Sequence, residues 1–402
     1  MMKKGKVVLA YSGGLDTSFC VKYLNIEKGL DVHTVLVNTG GFTDEELKSI
    51  GSRSKAMGAA SHKTINVVNE YYQKCIRFLV YGNILKNHTY PLSVSAERVF
   101  QAMAIADEAL QIGADYIAHG STGAGNDQIR FDMIFHILAP DIPVLTPIRD
   151  QKLSRDQEIT YLEKNGLKMD WKKAAYSINQ GLWGTSIGGK ETLTSNETLP
   201  EEAYPKQVIK NDEMEIQLNF EKGQIKGINQ KLFKNPVDAI ENLNTRASAY
   251  GIGRGVHVGD TIIGIKGRVG FEAAAPILIL KSHEALEKHV LTKWQIYWKE
   301  QLANWYGMLL HEGQYLEPVM RNIESFLEDT QTTVNGTVKV RLAPHRYEII
   351  GIESENDLMN SRFGRYGEMP SDWTSDDARG FAKIMANQIS IFRKVNDGKL
   401  KS

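Results

Sequence analysis

The first part of the chain alternates short apolar runs with segments of helical character. Lys6-Val-Val-Leu-Ala10 is an apolar run, and Thr17 to Leu24 has helical spacing. Val32 to Val37 is a second, β-branched run. Gly51 to Met57 predicts a helix and Ile65 to Val68 a short strand. Ala96 to Leu110 is rich in Ala, Gln, Met and Glu, all strong helix formers. Ala114 to Ala118 and Pro143 to Leu145 predict two more strands. Strands alternating with helices predict an α/β fold, with a doubly wound parallel sheet covered on both faces. In such sheets ligands sit at the carboxyl ends of the strands.

The pattern changes after Trp171. Glu213 to Phe220 alternates with period two, as a half-buried strand does. Ile225 to Ile228, His257 to Ile265 and Ala275 to Leu280 add strand signals. Asn335-Gly336, between Thr-Thr-Val and Val-Lys-Val-Arg-Leu, predicts a hairpin turn. His283 to Leu310 reads as one long helix, with Trp294, Trp298 and Trp305 as a core or subunit-facing stripe. Asp376 to Val395 sets Phe381, Ile384, Met385, Phe392 and Val395 on roughly one helical face. The expected organisation is a nucleotide-binding domain at 1–170, a mixed α+β domain at 171–361 and a C-terminal helical arm at 362–402. A lone amphipathic helix needs a partner, either its own domain or a neighbouring subunit.

The 402 residues exceed one ordinary core, which supports that division. Hydrophobic residues make up 42% and charged residues 24%, ordinary for a soluble protein. Lys plus Arg and Asp plus Glu are 48 each, so no basic excess points to nucleic acid. Cys20 and Cys75 have no redox or metal-ligand spacing and read as reduced, packed thiols. The apolar run near the start, Val7 to Ala10, is too short for a signal or a membrane span. A cytoplasmic protein with no membrane or nucleic-acid partner is expected.

Ala10-Tyr-Ser-Gly-Gly-Leu-Asp-Thr-Ser18 follows the first strand and opens a helix. Its glycines let the main chain turn tightly and approach an anion. The helix N-terminus adds partial positive charge, and Ser12, Thr17 and Ser18 add hydroxyls. Together they form a cradle for a pyrophosphate. A bare Ser-Gly-Gly is also what a serine-capped turn uses. Neither the Walker pattern nor Gly-x-Gly-x-x-Gly occurs, which lowers support for P-loop kinases and dinucleotide dehydrogenases. A second segment, His119-Gly-Ser-Thr-Gly-Ala-Gly-Asn-Asp-Gln-Ile-Arg-Phe131, follows the strand ending at Ala118. If a helix starts there, Asn126, Asp127 and Arg130 share one face. An Asn or Asp cap with an internal Asp–Arg pair is the plainer reading of that segment alone.

The first string resembles the pyrophosphate loop of the N-type ATP pyrophosphatases, adenine-nucleotide α hydrolases that split ATP between its α and β phosphates. The second closely resembles the Gly-x-Thr-Gly-Lys-Gly-Asn-Asp-Gln-x-Arg-Phe segment of the argininosuccinate synthase family. Tyr90-Pro-Leu-Ser-Val-Ser95, Tyr176-Ser-Ile-Asn-Gln-Gly-Leu-Trp-Gly-Thr-Ser186 and Gly251-Ile-Gly-Arg254 are also similar to that family, in the same order. The resemblance implies an AMP-forming ligase of arginine biosynthesis that joins citrulline and aspartate through a citrullyl-adenylate. It implies ATP contacts from Ala10, Tyr11, Ser12, Gly13, Gly14, Leu15, Asp16, Thr17, Ser18, Val37 and Gly120. Thr122, Asn126 and Asp127 match positions that hold aspartate. Tyr90, Ser95, Asn126, Arg130, Ser177 and Ser186 match positions that hold citrulline. Asn126, Asp127 and Arg130 would form the chemical centre, Arg130 as a two-pronged partner for a substrate carboxylate. Mg²⁺ accompanying ATP and a homotetramer joined through the tail helix are further implications.

The chain departs from the family at three positions. Ala124 stands where many members carry Lys. Gly259 and Phe271 fall where some members bind citrulline through Glu and Tyr, so these two are not carried over. A tRNA thiolase of the same superfamily and a non-catalytic ATP-binding regulator are the competing readings. The neutral charge balance disfavours the first, and Asn126, Asp127 and Arg130 would have no use in the second.

Overall fold

The computed structural model describes residues 4–167, 176–359, 364–369 and 371–396. The chain forms two compact units, Met1–Glu355 and Asn356–Ser402.

Five short strands make the parallel sheet: β1 (Lys6–Ala10), β2 (Asp31–Asn38), β3 (Ser61–Asn66), β4 (Tyr116–Ala118) and β5 (Val144–Leu145), ordered β3-β2-β1-β4-β5. Val7, Val8 and Leu9 are fully buried because β1 is covered on both faces, which is why it reads as an unbroken apolar run. One face packs on the helices Leu15–Ile26 and Arg155–Lys164 through Leu9, Phe19, Leu24 and Leu162. The other face joins the larger core, through Val8, Val35 and Ile117, with the helix Ser93–Gln111 and with strands of the second half. The chain winds outward from β1 to β3 on one side and reaches β4 and β5 on the other. The winding therefore reverses between β1 and β4, which pair directly as Val8 with Ile117. A reversal of this kind leaves a crevice at the carboxyl ends. Both glycine-rich segments begin there.

The second half contributes two antiparallel sheets. Strands β6 (Ser177–Gly181), β7 (Gly184–Gly188), β11 (Arg254–Asp260) and β12 (Lys266–Glu272) form one, ordered β11-β12-β7-β6. Strands β8 (Met214–Glu221), β9 (Gln224–Ile228), β10 (Lys231–Leu232), β13 (Gly336–Ala343) and β14 (Arg346–Glu353) form the other, ordered β10-β9-β8-β13-β14. The tip of the β6–β7 hairpin sits on the end of β2. Leu182 donates to the Thr39 carbonyl at 3.1 Å, and a Cβ on Gly40 would lie 2.8 Å from the Leu182 nitrogen.

Four expectations are corrected. Ala275 to Leu280 is not a strand but part of the helix Ala274–Val290; Leu278, Ile279 and Leu280 are all buried, and a helix enclosed on every side reads as a continuous apolar run. Asn335-Gly336 is not a hairpin tip. Thr330–Thr333 is a single helical turn, Gly336 already begins β13, and the hairpin closes at Pro344-His345. The Asn335 side chain instead ties loops together, accepting from the Lys222 N–H and donating to the Thr332 carbonyl. The strand read from His257 to Ile265 ends at Asp260, where Thr261 turns the chain by bonding Ile265. The long helix is two, Ala274–Val290 and Lys293–His311, separated at Thr292, which caps the second with Gln295. Trp294, Trp298 and Trp305 are 62%, 59% and 59% exposed, so they do not belong to the core.

The helix Ser375–Val395 matches the tail expectation closely. None of its side chains is buried, and Phe381, Ile384, Met385, Phe392 and Val395 are exposed. Among the described residues no helix is long and apolar enough to cross a membrane. Cys20 and Cys75 are buried free thiols, pushed up in pKa by burial.

Candidate active site at the carboxyl ends of β1 and β4

The first loop turns between Ala10 and the helix that starts at Leu15. Tyr11 continues the sheet by donating to the Val35 carbonyl at 2.9 Å. Gly13 then takes φ +77°, a conformation that costs an L-residue about 1–2 kcal/mol. A Cβ there would also press on Ile50 at 3.1 Å, and Arg53 grips the Gly13 carbonyl at 2.7 Å. Gly14 is the extended N-cap of the helix. Its N–H approaches the Ser12 hydroxyl at 3.4 Å, and Ser12 lies 3.3 Å from Thr17. Ser12 and Gly14 are exposed, whereas Ala10, Leu15, Ser18 and Val37 are packed in the floor. The result is an open turn whose N–H groups and hydroxyls can meet an anion at a helix N-terminus.

The second loop leaves β4 beside it. A Cβ on Gly120 would lie 3.3 Å from the main-chain carbon of Asp16, so the two loops touch. His119 accepts the Ser121 N–H on Nδ1 at 3.2 Å, which leaves Nε2 to donate to Asp132 at 2.9 Å. Arg149 holds the other oxygen of Asp132 at 2.6 Å and bonds Gln128, whose amide donates to the carbonyls of Gly123 and Gly125. A half-buried network thus sets the shape of a loop that has few side chains of its own. Thr122 is exposed on that loop. The Asn126 side chain accepts the Ile262 N–H at 2.8 Å and ties the loop to the turn after β11.

The helix Asp127–Leu138 opens with Asp127, which lies between two guanidinium groups. Arg98 donates to one oxygen and Arg130 to the other, each at 2.9 Å. Burial alone would raise the Asp127 pKa, but Arg98 and Arg130 hold it below the usual carboxylate range. Arg98 also bonds Glu97, Gln101 and, on β6, Asn179. Glu97 is buried and accepts from Thr39; burial outweighs the help of Arg98 and lifts its pKa to about 7. The neutral carboxyl is therefore favoured by folding, and this contribution is lost as pH rises from about 4.5 through about 7. Glu97→Gln is expected to leave the melting temperature nearly unchanged at pH 4.5 and to raise it at pH 8, measured by calorimetry.

A hydroxyl cluster lies beyond. Tyr90 bonds Ser186 at 3.0 Å and accepts from Ser93 at 3.2 Å, and its ring stacks on His257 at 5.3 Å. Ser95 bonds His311 at 3.1 Å. Burial, then Arg130 and Lys86, pull the His311 pKa down to about 3, so its imidazole is neutral.

The fold thus brings together most residues singled out from sequence: both loops, Tyr90, Ser95, Asn126, Asp127, Arg130 and Ser186. Ser177 is exposed on the edge strand β6, opposite Gly188. Arg130 differs from the two-pronged substrate clamp expected of it. It is buried, and Nε and Nη2 both donate to the His311 carbonyl while Nη1 holds Asp127. Phe271 packs on Tyr90 with ring centroids 5.8 Å apart, and Gly259 faces Gly267 across β11 and β12. Arg98, Glu97, His119, Asp132, Arg149 and His311 were not singled out. Only Arg98 left a local signal, three residues after Ser95 on the same helix face.

A crevice at a winding reversal, floored by a glycine-rich turn on a helix N-terminus, defines a doubly wound α/β domain suited to a phosphate-bearing ligand, carrying an antiparallel second half. The family model described as arginosuccinate synthase N-terminal HUP domain matches residues 6–168, and that described as arginosuccinate synthase C-terminal domain matches 176–392. The chain is 35% identical to argininosuccinate synthase of Dictyoglomus thermophilum, covering 97% of this chain and 98% of the relative. It is 36% identical to that of Xanthomonas campestris, over 98% and 100%, and 36% to that of Methanocaldococcus jannaschii, over 96% and 97%. The chain belongs to the argininosuccinate synthase family.

Proposed function

We propose that this protein ligates L-citrulline and L-aspartate to argininosuccinate in arginine biosynthesis, converting ATP to AMP and pyrophosphate. Contact between the two glycine-rich loops, Gly120 against Asp16, supports this reading, because it brings the phosphate cradle against the loop that leads into Asp127. The ureido oxygen of citrulline attacks the α-phosphorus, and pyrophosphate leaves into the turn formed by Ser12, Gly13, Gly14, Thr17 and Ser18. The amine of aspartate then attacks the ureido carbon, AMP departs with the oxygen, and the nitrogen loses a proton. The ureido oxygen would otherwise leave poorly, so activation as an adenylate supplies the driving force. The protein's part is positioning and stabilisation of charge.

Thr122, Asn126 and Asp127 are assigned to aspartate, and Tyr90, Ser95, Ser177 and Ser186 to citrulline. Arg130 is assigned the task of fixing Asp127 and the His311 carbonyl. Mg²⁺ would travel with the phosphates. Among the described residues no group of three His, Cys, Asp or Glu side chains converges on a metal, and Mg²⁺ on a nucleotide needs few protein ligands. Residues 1–170 would bind nucleotide, 171–361 would wall the amino-acid sites and 362–402 would join subunits of a cytoplasmic homotetramer. Exposed apolar residues along the helix Ser375–Val395 support that last role. Phe381→Asp with Phe392→Asp is expected to lower the mass measured by light scattering to that of a smaller species. An unchanged mass would remove the tail from the interface.

Pyrophosphate release, measured with each substrate omitted in turn, tests the function. Release that requires citrulline supports it. Release that requires tRNA, or none with any substrate, rules it out.

A further inference from the structure

The amine donor proposed above is a dicarboxylate, yet neither glycine-rich loop carries a cation: the first has none, and position 124 in the second is Ala. Two guanidinium groups lie within reach of Asp127. Arg130 is 3% exposed and anchored twice to the His311 carbonyl, so it cannot turn toward a ligand. The Arg98 side chain is 13% exposed and is held differently. Nη1 lies between Glu97 and Gln101 of its own helix, Nε meets Asp127, and Nη2 meets only Asn179. Asn179 lies on β6, the edge strand of its sheet, and is half-buried. One Nη2 hydrogen thus has no partner, and a second bonds a neutral amide that a carboxylate would outcompete.

Charge points the same way. Arg98 and Arg130 face a single firmly ionised carboxylate, Asp127, because burial favours the neutral form of Glu97. The cluster therefore holds up to one positive charge in excess, matching the net negative charge of aspartate.

We propose that Arg98 binds a carboxylate of the amine donor through Nη2, displacing the Asn179 amide, while Asp127 stays on Nε. The inference rests on the ligase reading above and adds a specificity-determining residue to it. Arg98 then touches substrate directly and sets the preference for a dicarboxylate.

The test is steady-state kinetics of full-length Arg98→Gln and Arg98→Lys, with each substrate varied. Arg98→Gln is expected to raise the KM for aspartate about 10- to 100-fold, the range for a lost hydrogen bond to a charged group. The KM values for ATP and citrulline should move by less than about threefold. Arg98→Lys, which keeps the charge but not the fork, should fall between. An aspartate KM unchanged in both variants, with kcat reduced, would overturn the proposal and leave Arg98 as a support for Asp127. A rise in all three KM values together would overturn it as well. Should Arg98→Gln fail to fold, Arg98→Lys decides by the same KM comparison. Citrulline-dependent exchange of pyrophosphate into ATP needs no aspartate. Its absence in the unmodified protein would defeat the ligase reading itself, whereas its presence with an unmoved aspartate KM defeats only the assignment of Arg98.

Discussion

Asp127→Asn is expected to lower the rate of argininosuccinate formation by at least about 10²–10³-fold, the loss seen when one preorganised electrostatic group is removed. The carboxylate bridges Arg98 and Arg130, so it orients both guanidinium groups and presents its charge where the aspartate amine would sit. The asparagine side chain keeps the shape and can still accept from one of the two. It cannot balance two cations. ATP binding, measured by equilibrium titration, should change little, because the side-chain hydrogen bonds of the cradle run among Ser12, Gly14 and Thr17, whereas Asp127 bonds Arg98 and Arg130. Asp127→Ala is the less informative variant. It leaves two guanidinium groups without their carboxylate, and breaking a buried pair costs about 3–5 kcal/mol of stability. The lower end applies, since the Asp127 side chain is 35% exposed. Turnover at the normal rate in Asp127→Asn would contradict the role.

The second large effect is expected at the first loop, and its two glycines should fail differently. Gly14 has an extended main chain, and an added Cβ would meet only the Ser12 hydroxyl, at 3.4 Å. Gly14→Val should therefore fold, yet its side chain would stand in front of the helix N-terminus where phosphate oxygens approach. Loss of that close approach should weaken ATP binding by about 10²–10⁴-fold, the equivalent of two hydrogen bonds to a charged ligand. Gly13→Val combines a left-handed φ with pressure on Ile50, so it should lower the melting temperature as well. Titration calorimetry and thermal unfolding of the two variants separate these effects. Normal ATP affinity in Gly14→Val would show that the loop is only a turn.

Much of this architecture was legible in the sequence because it is local. β1 and β2 read as apolar runs since they are buried on both faces. The two glycine-rich strings kept their meaning because each is a strand end followed by a helix start. The adjacency of β1 and β4 was not legible, since pairing across more than a hundred residues leaves no periodic trace. Tertiary burial also misled the reading at Ala275 to Leu280, where helix and strand have the same apolar run. The start of the helix Asp44–Ala56 was missed although Thr43 and Glu46 form a capping box, because that helix is mostly polar.

The site was legible where it is built from contiguous strings and obscure where it is built from partners distant in sequence. Asp127 was found, but Arg98 lies on another helix and meets it only in the fold. Arg130 was read as a substrate clamp because it matches a family position that holds citrulline; the segment alone suggested the internal Asp–Arg pair that the fold shows. Its anchor, the His311 carbonyl, lies 181 residues away, and a main-chain acceptor carries no residue-type signal. His119, Asp132 and Arg149 form their network across three separate elements.

The central claim is that the ureido oxygen attacks the α-phosphorus while the turn after β1 holds the departing pyrophosphate. Citrulline labelled with heavy oxygen at the ureido position tests it directly by mass spectrometry of the products. The account predicts one labelled oxygen in each AMP and none in pyrophosphate. Label retained in the amino-acid product, or ADP formed in place of AMP, would contradict it.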